Sequence, residues 1–305
     1  MLKLRYTKKN ADRIFIFVTL LFPIVQVAVF YFYLNFSSFF LAFRNVFGDW
    51  SLANFTKFFE ELGKSNYILI ALRNTFIAIV AACLITLPLN LFASYLMFKK
   101  FYGHMFFRIM LYFPAIMGIT VTIFMSYIFD ANGPIIRLGS ALGVKWSKDI
   151  LQLGLLGNLS TAYPVMLIIG TVVVSGGDIL LYTNFLSRVP RDVIDSGRVD
   201  GLGVFGEFRY MVVPLLWQII SLKLVLSFAL GFGGGYESVA LMTAGRQNTQ
   251  NFGYYLTHQS LQSVDGTGSG YGYPAAIGMM LTFIIAPLTL FFRWLVGRAV
   301  EPVEY

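Results

Sequence analysis

Charged residues are scarce in this chain. Of its 305 residues, 12% are charged and 57% are hydrophobic, whereas soluble domains carry about 25% charged residues. A chain so poor in charge cannot cover a water-facing surface, so we expect lipid to solvate much of it. The sequence therefore excludes an ordinary soluble domain and predicts an integral membrane protein.

Cysteine and histidine are also scarce. The single cysteine, Cys83, cannot form an intrachain disulfide, and we expect it to be a small apolar core residue. The only histidines, His104 and His258, lie far apart in sequence, so a metal site is not expected. Paired histidines and a serine–histidine–aspartate arrangement are missing from the apolar segments, which disfavours a membrane-embedded enzyme.

Long apolar runs dominate what remains. A helix needs about 20 apolar residues to cross a bilayer. Four runs contain no charge, at 14–36, 76–98, 109–129 and 272–292, and two others, 162–186 and 211–233, carry Asp178 and Lys223. The runs do not alternate polar with apolar residues, so they predict an all-α membrane protein with six transmembrane helices. We expect the prolines in these spans to produce gentle kinks.

The basic residues predict the orientation of the spans. More than half of the 23 lysines and arginines precede the first span, follow the sixth, or lie between spans two and three and spans four and five. The other loops are longer and hold fewer of them. The positive-inside rule therefore predicts cytoplasmic termini. The formal charge of +8 is explained by this distribution, so no nucleic-acid partner is expected.

The most informative segment is the predicted cytoplasmic loop between spans four and five, at 189–214. Pro190 is suited to begin a helix, charged and apolar residues then alternate at helical spacing, and Gly201 and Gly203 can end the helix. The segment reads as a short amphipathic helix. Such a helix docks into a groove on a partner protein or lies on lipid headgroups, and its periodicity does not separate the two.

The residues of this loop resemble the EAA loop of permease subunits in binding-protein-dependent ABC importers, most closely the sugar (maltose and oligosaccharide) branch. The pattern is Glu-Ala-Ala, three residues, Gly, nine residues, then two hydrophobic residues flanking one other residue, and Pro. Here these positions hold Asp195-Ser196-Gly197, Gly201, Met211, Val213 and Pro214. Ser196-Gly197 in place of two alanines weakens the helix, since glycine costs about 1 kcal/mol in a helix interior.

Other segments resemble the same family in the expected order. Ala71-Leu72-Arg73-Asn74-Thr75 is similar to its Ala-x-x-Asn-Thr, and Arg108 with Phe113-Pro114 is similar to the Arg and Leu-Pro of its third span. Leu241-Met242-Thr243-Ala244-Gly245 resembles its Leu-Thr-x-Gly-Gly-Pro, with Arg246 at a glycine position. The resemblance therefore covers a permease domain at 14–298 between cytoplasmic segments at 1–13 and 299–305.

The resemblance implies an assembly in a bacterial plasma membrane. Its parts are a second, different permease subunit, two cytoplasmic ATP-binding subunits and an extracytoplasmic solute-binding protein. This chain has no G-x-x-x-x-G-K-[ST] loop, so ATP and Mg²⁺ would be bound by the partner ATPases and no cofactor by this chain. The residues implied in coupling to the ATPase are Asp195, Ser196, Gly197, Arg198, Asp200, Gly201 and Pro214.

Two groups of residues are candidates for the substrate path. Asp178, after Gly177, and Lys223 lie at similar predicted depths, so they form a structural ion pair or face the path. The second group is the glycine-rich end of the fifth span, where Gly235, Tyr236 and Glu237 could contact a sugar through the backbone, a ring and a carboxylate. The other interpretation of these glycines is close helix packing.

The predicted function is import of a sugar, such as an oligosaccharide, by alternating access. The alternatives are the same machinery with another cargo, such as glycerol phosphate or a polyamine, and an ion-driven secondary transporter. An anionic cargo would favour basic residues in the path, so Lys223 is compatible with glycerol phosphate as the cargo. A secondary transporter would not need a loop that docks on an ATPase.

Overall fold

A computed structural model describes residues 2–45, 47–173, 176–189, 197, 201–264 and 270–299. Helices dominate these residues. They contain no β-strand, and one isolated antiparallel bridge joins Arg44 and Trp50. The chain divides into two compact units, one formed by 1–61 and 259–282 and the other by 62–258 and 283–305.

Several of the helices contain π-helical turns, which are counted here with the helices that they interrupt. The first helices are α1 (Leu2–Gln26, Val27–Tyr33 and Leu34–Ala42), α2 (Ala53–Lys64), α3 (Asn66–Phe98), α4 (His104–Met117), α5 (Ile119–Ile128), α6 (Pro134–Ala141) and α7 (Lys148–Leu153). The others are α8 (Ala162–Ile168 and Ile169–Val173), α9 (Gly176–Leu186), α10 (Val204–Leu215), α11 (Trp217–Gly231), α12 (Tyr236–Met242), α13 (Phe252–Val264) and α14 (Gly272–Ala299).

Among the described residues, four stretches are long and apolar enough to cross a membrane: Ala11–Ala42, Asn66–Phe98, Ala162–Leu186 and Gly272–Arg298. Two bent helix pairs, α4 with α5 and α10 with α11, raise the number to six if each pair is one span. The all-α membrane fold is confirmed, while the count of six spans stays a prediction. α3 begins ten residues before the predicted second span, whereas α8 and α14 begin at the first residues of their predicted spans.

The prediction of gentle kinks is wrong at two prolines. α4 and α5 meet at 93°, and α10 and α11 meet at 75°. Pro114 lacks the amide hydrogen of a regular helix, and Gly118 then takes φ +47° and ψ −114°, a conformation that favours glycine. At the second bend, Leu216 leaves helical geometry two residues after Pro214. Proline loosens the backbone at both places, and a non-helical residue completes the turn.

In the first unit, the side chains of α1 from Ala11 to Leu41 are exposed and largely apolar, as expected of a helix that faces a non-aqueous environment. The segment after α1 is held by the buried Asn54 amide, which donates hydrogen bonds to the carbonyls of Ala42 and Arg44 at 3.0 and 2.8 Å. The buried Tyr273 hydroxyl donates to the Glu61 carboxylate at 2.5 Å.

The core of the second unit lies where α3 packs against α9 and α10–α11. The buried side chains there are Leu91, Tyr95, Tyr182, Leu186, Val212, Leu216, Ile219 and Ile220. Ser94 allows α9 to approach, and its hydroxyl hydrogen-bonds the Ile179 carbonyl at 3.0 Å. Cys83 is half-buried in α3. This packing places α3 beside both α10 and the helices that surround the candidate site.

Candidate functional site

The predicted coupling loop is described only in part. Asp195, Ser196, Arg198 and Asp200 lie outside the described residues. Gly197 is buried, and a Cβ atom placed on it would lie 2.1 Å from the Met211 sulfur. Two positions of the loop pattern are therefore in contact, which gives a packing reason for glycine where the family pattern has alanine.

The other described residues of the loop occupy turns. Gly201 has φ +79°, a left-handed conformation typical of the residue that ends a helix. Gly203 precedes α10 in an extended conformation, and Pro214 lies at the bend between α10 and α11. Gly201 is therefore suited to its predicted role at the end of the loop helix.

An ion pair joins the residue directly after α3 to a residue of α10. Lys99 Nζ lies 2.6 Å from Glu207 Oε2, with side chains that are 18% and 1% exposed, respectively. The ammonium also lies 4.9 Å from the centre of the Tyr95 ring, within the range of a cation–π interaction. Sequence analysis missed this pair, because Lys99 counted only toward orientation and its partner is 108 residues away.

The glycine-rich segment after α11 forms a tight turn. α11 ends at Gly231, and Gly235 has φ +79° immediately before α12. The Asn251 amide donates a hydrogen bond to the Gly234 carbonyl at 3.3 Å. A Cβ atom on Gly253 would lie 2.3 Å from that same carbonyl, so glycine there permits close backbone approach.

Two adjoining cavities flank this turn. The first, about 380 Å³ and named here the lysine cavity, is lined by Lys223, Ser227, Gly231, Gly235 and neighbouring residues of α3. The second, about 260 Å³ and named the hydroxyl cavity, lies toward α8. Its polar lining residues are Asn74, Thr86, Tyr163, Thr171, Ser238, Thr249 and Asn251. Ala78, Ala82, Gly235 and Asn251 line both, so the cavities share a wall formed by α3 and the glycine turn.

Asp178 and Lys223 form an ion pair. Lys223 Nζ lies 2.5 Å from Asp178 Oδ1, and the two side chains are 28% and 33% exposed, in that order. The similar depths predicted for these residues are consistent with the contact. Because Lys223 lines the lysine cavity, the pair belongs to the cavity wall, and the positive charge there has a carboxylate partner.

The remaining predicted path residues are placed differently. Gly235 lines both cavities. Glu237 is exposed and is outside the lining of either cavity, and Gly177 is also exposed. Tyr236 begins α12, and its side chain lies outside the described part of the structure. Gly235 of the glycine turn thus lines the cavities, whereas the Glu237 side chain does not line either of them.

Ala71–Thr75, near the beginning of α3, contacts the turn that follows Leu241–Gly245. The two patterns were singled out separately in the sequence. The buried Asn74 amide donates hydrogen bonds to the carbonyls of Asn248 and Gln250 at 2.7 and 2.9 Å. The Thr75 hydroxyl accepts the Phe252 amide hydrogen at 2.8 Å. The turn held in this way follows Leu241–Gly245 and contains positive φ values at Gln247 and Asn248. We name these contacts the amide clamp.

The same turn also borders a third cavity of about 600 Å³, whose lining includes Tyr127, Asp130, Thr243, Arg246 and Gln247. Arg246 was identified from the sequence as a departure from the family pattern. Here its side chain contributes to the wall of a pocket between the end of α5 and the turn after α12.

Sequence reasoning missed several residues of the site. Asn251, Tyr163 and Thr171 line the hydroxyl cavity, and none was singled out. Their signal was faint, since an isolated polar residue at the edge of an apolar run is common. Asn74 was noticed only as part of a pattern, and its position against residues 174 further along the chain could not be read from spacing.

Comparison with known proteins gives relatives that are named as permease proteins of transport systems. Over 276 residues the chain is 24% identical to the multiple sugar-binding transport system permease protein MsmF of Streptococcus mutans, covering 87% of this chain and 89% of MsmF. It is 23% identical over 256 residues to the maltose/maltodextrin permease MalF of Escherichia coli K12. That match spans 78% of this chain and about half of MalF, 47%. No family model matches the chain.

Solved structures share the fold. A chain of a bacterial alginate ABC transporter in complex with an alginate-pentasaccharide-bound periplasmic protein gives a TM-score of 0.78 at 15% identity, covering 97% of this chain and 99% of that one. A second structure of a bacterial ABC transporter for alginate import gives 0.79 at 16% identity, covering 97% of this chain and 100% of that one. The resemblance predicted from the loop at 189–214 is confirmed: this chain has the fold of ABC transporter permease structures and resembles the permease subunits of sugar ABC importers.

Proposed function

We propose that this chain is a pore-forming permease subunit of an ATP-driven importer that moves a sugar, such as an oligosaccharide, across the bacterial plasma membrane. The observation that carries the proposal is the loop between α9 and α10. Its pattern retains every spacing of an ATPase-docking loop, and Gly197 packs against Met211 of the same pattern. A docking loop of this kind has no use in an ion-driven secondary transporter.

The cargo path runs along the lysine and hydroxyl cavities. Hydroxyl, amide and backbone groups line them, and such groups exchange hydrogen bonds with sugar hydroxyls. The described lining residues of the two cavities include one charged side chain, Lys223, and Asp178 balances it at 2.5 Å. An uncharged sugar is therefore favoured over glycerol phosphate or a polyamine, each of which would need an unmatched charge in the wall.

The assembly contains partners that supply what this chain lacks. A second permease subunit forms the other half of the pore, and two cytoplasmic subunits bind ATP and Mg²⁺. An extracytoplasmic binding protein delivers the sugar. Both termini and the loop at 189–214 are cytoplasmic, and Asp195 provides a polar contact with an ATPase subunit. Closure of the ATPases shifts the cavities from one side of the membrane to the other, as alternating access requires.

The test is ATP hydrolysis by the purified complex in lipid, with and without binding protein loaded with candidate sugars. Wild type is compared with Asp195→Lys, and Asp12→Lys is the control, because Asp12 is exposed on α1 near the predicted cytoplasmic terminus. We expect a loaded binding protein to stimulate hydrolysis in wild type and in the control, and not in Asp195→Lys. Equal stimulation in all three would contradict the ATPase-docking role.

A further inference from the structure

The ion pair between Lys99 and Glu207 joins α10, which follows Gly201 of the loop, to the end of α3, which lines the cavities. Glu207 lies on α10, six residues after Gly201 at the end of the cytoplasmic loop. Lys99 is the residue directly after α3. The pair is short at 2.6 Å, and the Glu207 side chain is 1% exposed. A charge-assisted bond of this length in a water-poor place resists separation far better than an exposed pair does.

On the Glu207 side, the contact continues into the loop. Met211 lies one helical turn beyond Glu207 on α10, and its sulfur packs against the position of Gly197 inside the loop. Phe208, beside Glu207, contacts the rings of Phe92 and Tyr95 on α3 at centroid distances of 5.2 and 5.7 Å. α10 therefore contacts α3 and the residue after it through one ion pair and a group of aromatic rings.

On the Lys99 side, the contact continues into the cavities. α3 runs through 33 residues from Asn66 to Phe98, about 50 Å at 1.5 Å per residue. Ala78 and Ala82 on this helix line both cavities. Further along, Asn74 and Thr75 hold the turn at 248–252 through the amide clamp. A displacement of the Lys99 end is thus carried by one helix to the cavity wall.

From this geometry we propose that the Lys99–Glu207 pair is the link through which movement of the cytoplasmic loop reaches the cavity wall. Lys99 and Glu207 are positioning residues: they contact neither sugar nor nucleotide, and they make α3 move together with α10. The inference rests on the proposed function, since the loop moves only if an ATPase drives it. It adds the path by which that movement reaches the site.

An ion pair suits this role better than packing alone. Coulomb attraction falls off slowly with distance and depends little on angle, so the pair holds through small rotations of α10 against α3. The aromatic contacts beside it act over a shorter range. The pair should therefore stay closed through the transport cycle, while the cavities at the far end of α3 open and close.

The first experiment measures sugar imported per ATP hydrolysed in proteoliposomes that contain the whole complex and loaded binding protein. The variants are Lys99→Glu, Glu207→Lys and the double exchange. Lys100→Glu is the matched control, because Lys100 is the exposed neighbour of Lys99. Each single reversal places like charges together and should lower the ratio by at least about fivefold, the lower end of typical allosteric couplings. The control should keep the wild-type ratio.

A covalent tether keeps the proposal falsifiable if the reversed pair misfolds. Lys99→Cys and Glu207→Cys are combined with Cys83→Ser, which removes the only native cysteine, and the new thiols are joined by a short bis-maleimide. The untethered protein should show a reduced ratio, and tethering should restore it. If tethering abolishes import, the two segments must separate during the cycle and the proposal is wrong.

The outcomes separate this inference from the proposed function. If no sugar-loaded binding protein stimulates ATP hydrolysis by wild type, the proposed function fails. If wild type imports sugar but the reversals leave the ratio unchanged, the importer assignment stands and the link through Lys99 and Glu207 is overturned. A loss of ratio in Lys100→Glu equal to that in Lys99→Glu would also overturn it, because any added negative charge would then suffice.

Discussion

The two ends of α3 are fastened by different chemistry. At one end the Asn74 amide donates to two backbone carbonyls, at 2.7 and 2.9 Å, and both of these bonds join uncharged groups. At the other end Lys99 and Glu207 bring two full charges to 2.6 Å. Both contacts are largely shielded from solvent, since Asn74 is 0% exposed and Glu207 1%.

The difference concerns what each contact can tolerate. A hydrogen bond from an amide to a carbonyl weakens steeply as its angle departs from linearity, and its acceptors here belong to a turn with positive φ values. The amide clamp therefore fixes one arrangement. The ion pair tolerates rotation, because charge attraction has little directional preference. One end of α3 is thus a fixed attachment, and the other is an attachment that can move.

The largest expected effect comes from breaking the fixed end. Asn74→Leu removes both donors and leaves the carbonyls of the exposed Asn248 and the buried Gln250 without them, and a buried group left unsatisfied costs about 1–3 kcal/mol. We expect a loss of about 3 kcal/mol in the free energy of unfolding and a clear fall in the Tm of the purified complex. Asn184→Leu, at an exposed position of α9, controls for the change in side chain and should leave the Tm nearly unchanged.

Removing one partner of the ion pair should have a smaller effect on stability. Lys99→Met removes the ammonium group that lies 2.6 Å from the Glu207 carboxylate, and removal of one partner of a buried pair is destabilising. Because Lys99 is 18% exposed, water offsets part of this, and we expect about 2 kcal/mol. The double variant with Glu207→Leu should recover most of the loss in denaturation measurements. A double variant no more stable than Lys99→Met would show that packing, not charge, dominates here.

A single hydrogen bond of the clamp should contribute less again. Thr75→Val keeps the shape of the side chain but removes the acceptor of the Phe252 amide hydrogen. We expect a loss of about 1–2 kcal/mol, toward the lower end of the cost of one unsatisfied buried group. Thr75→Ser retains the hydroxyl, so its Tm should lie closer to that of wild type. Similar losses in both variants would assign the effect to the methyl group instead.

The ion pair in the cavity wall should contribute least to stability and most to selectivity. Asp178 and Lys223 are each about a third exposed, and such pairs are worth about 0–1 kcal/mol. Asp178→Asn should therefore leave the Tm almost unchanged, while the positive charge of Lys223 loses its partner. We expect the purified complex to bind acidic oligosaccharides more tightly than wild type does. Unchanged binding of acidic and neutral sugars would argue that this wall does not face the cargo.

The sequence predicts the broad architecture because lipid imposes strong rules on composition. Apolar length predicted long apolar helices, and the similar depths of Asp178 and Lys223 are consistent with their contact. The same rules do not predict how a helix bends. Apolar runs at 109–129 and 211–233 look continuous, yet Gly118 and Leu216 break them, since bending depends on local backbone geometry that hydropathy does not record.

The candidate site was less predictable than the fold. The glycine-rich segment around Gly235 was singled out because glycine lets a ligand approach the backbone, and in the structure it forms a turn in which Gly235 has φ +79°. Glu237, next to it, was expected to contact sugar, but it is exposed and outside the lining of the two cavities. The amide clamp joins residues about 174 positions apart, and no spacing rule covers such a contact. Patterns located the segments, while packing decided which side chains meet.

The most direct test of the central claim is the accessibility of the cavity wall during the cycle. Ala78 is exposed and lines both cavities, so Ala78→Cys with Cys83→Ser places one thiol there, and Leu142→Cys in the same background is an exposed loop control. We predict that an impermeant reagent added outside labels the thiol of Ala78→Cys at a different rate when the ATPases are trapped closed, and at a lower rate when sugar is present. The labelling rate of the Leu142→Cys control should stay constant. Labelling that ignores both nucleotide and sugar would contradict the claim that these cavities are the transport path.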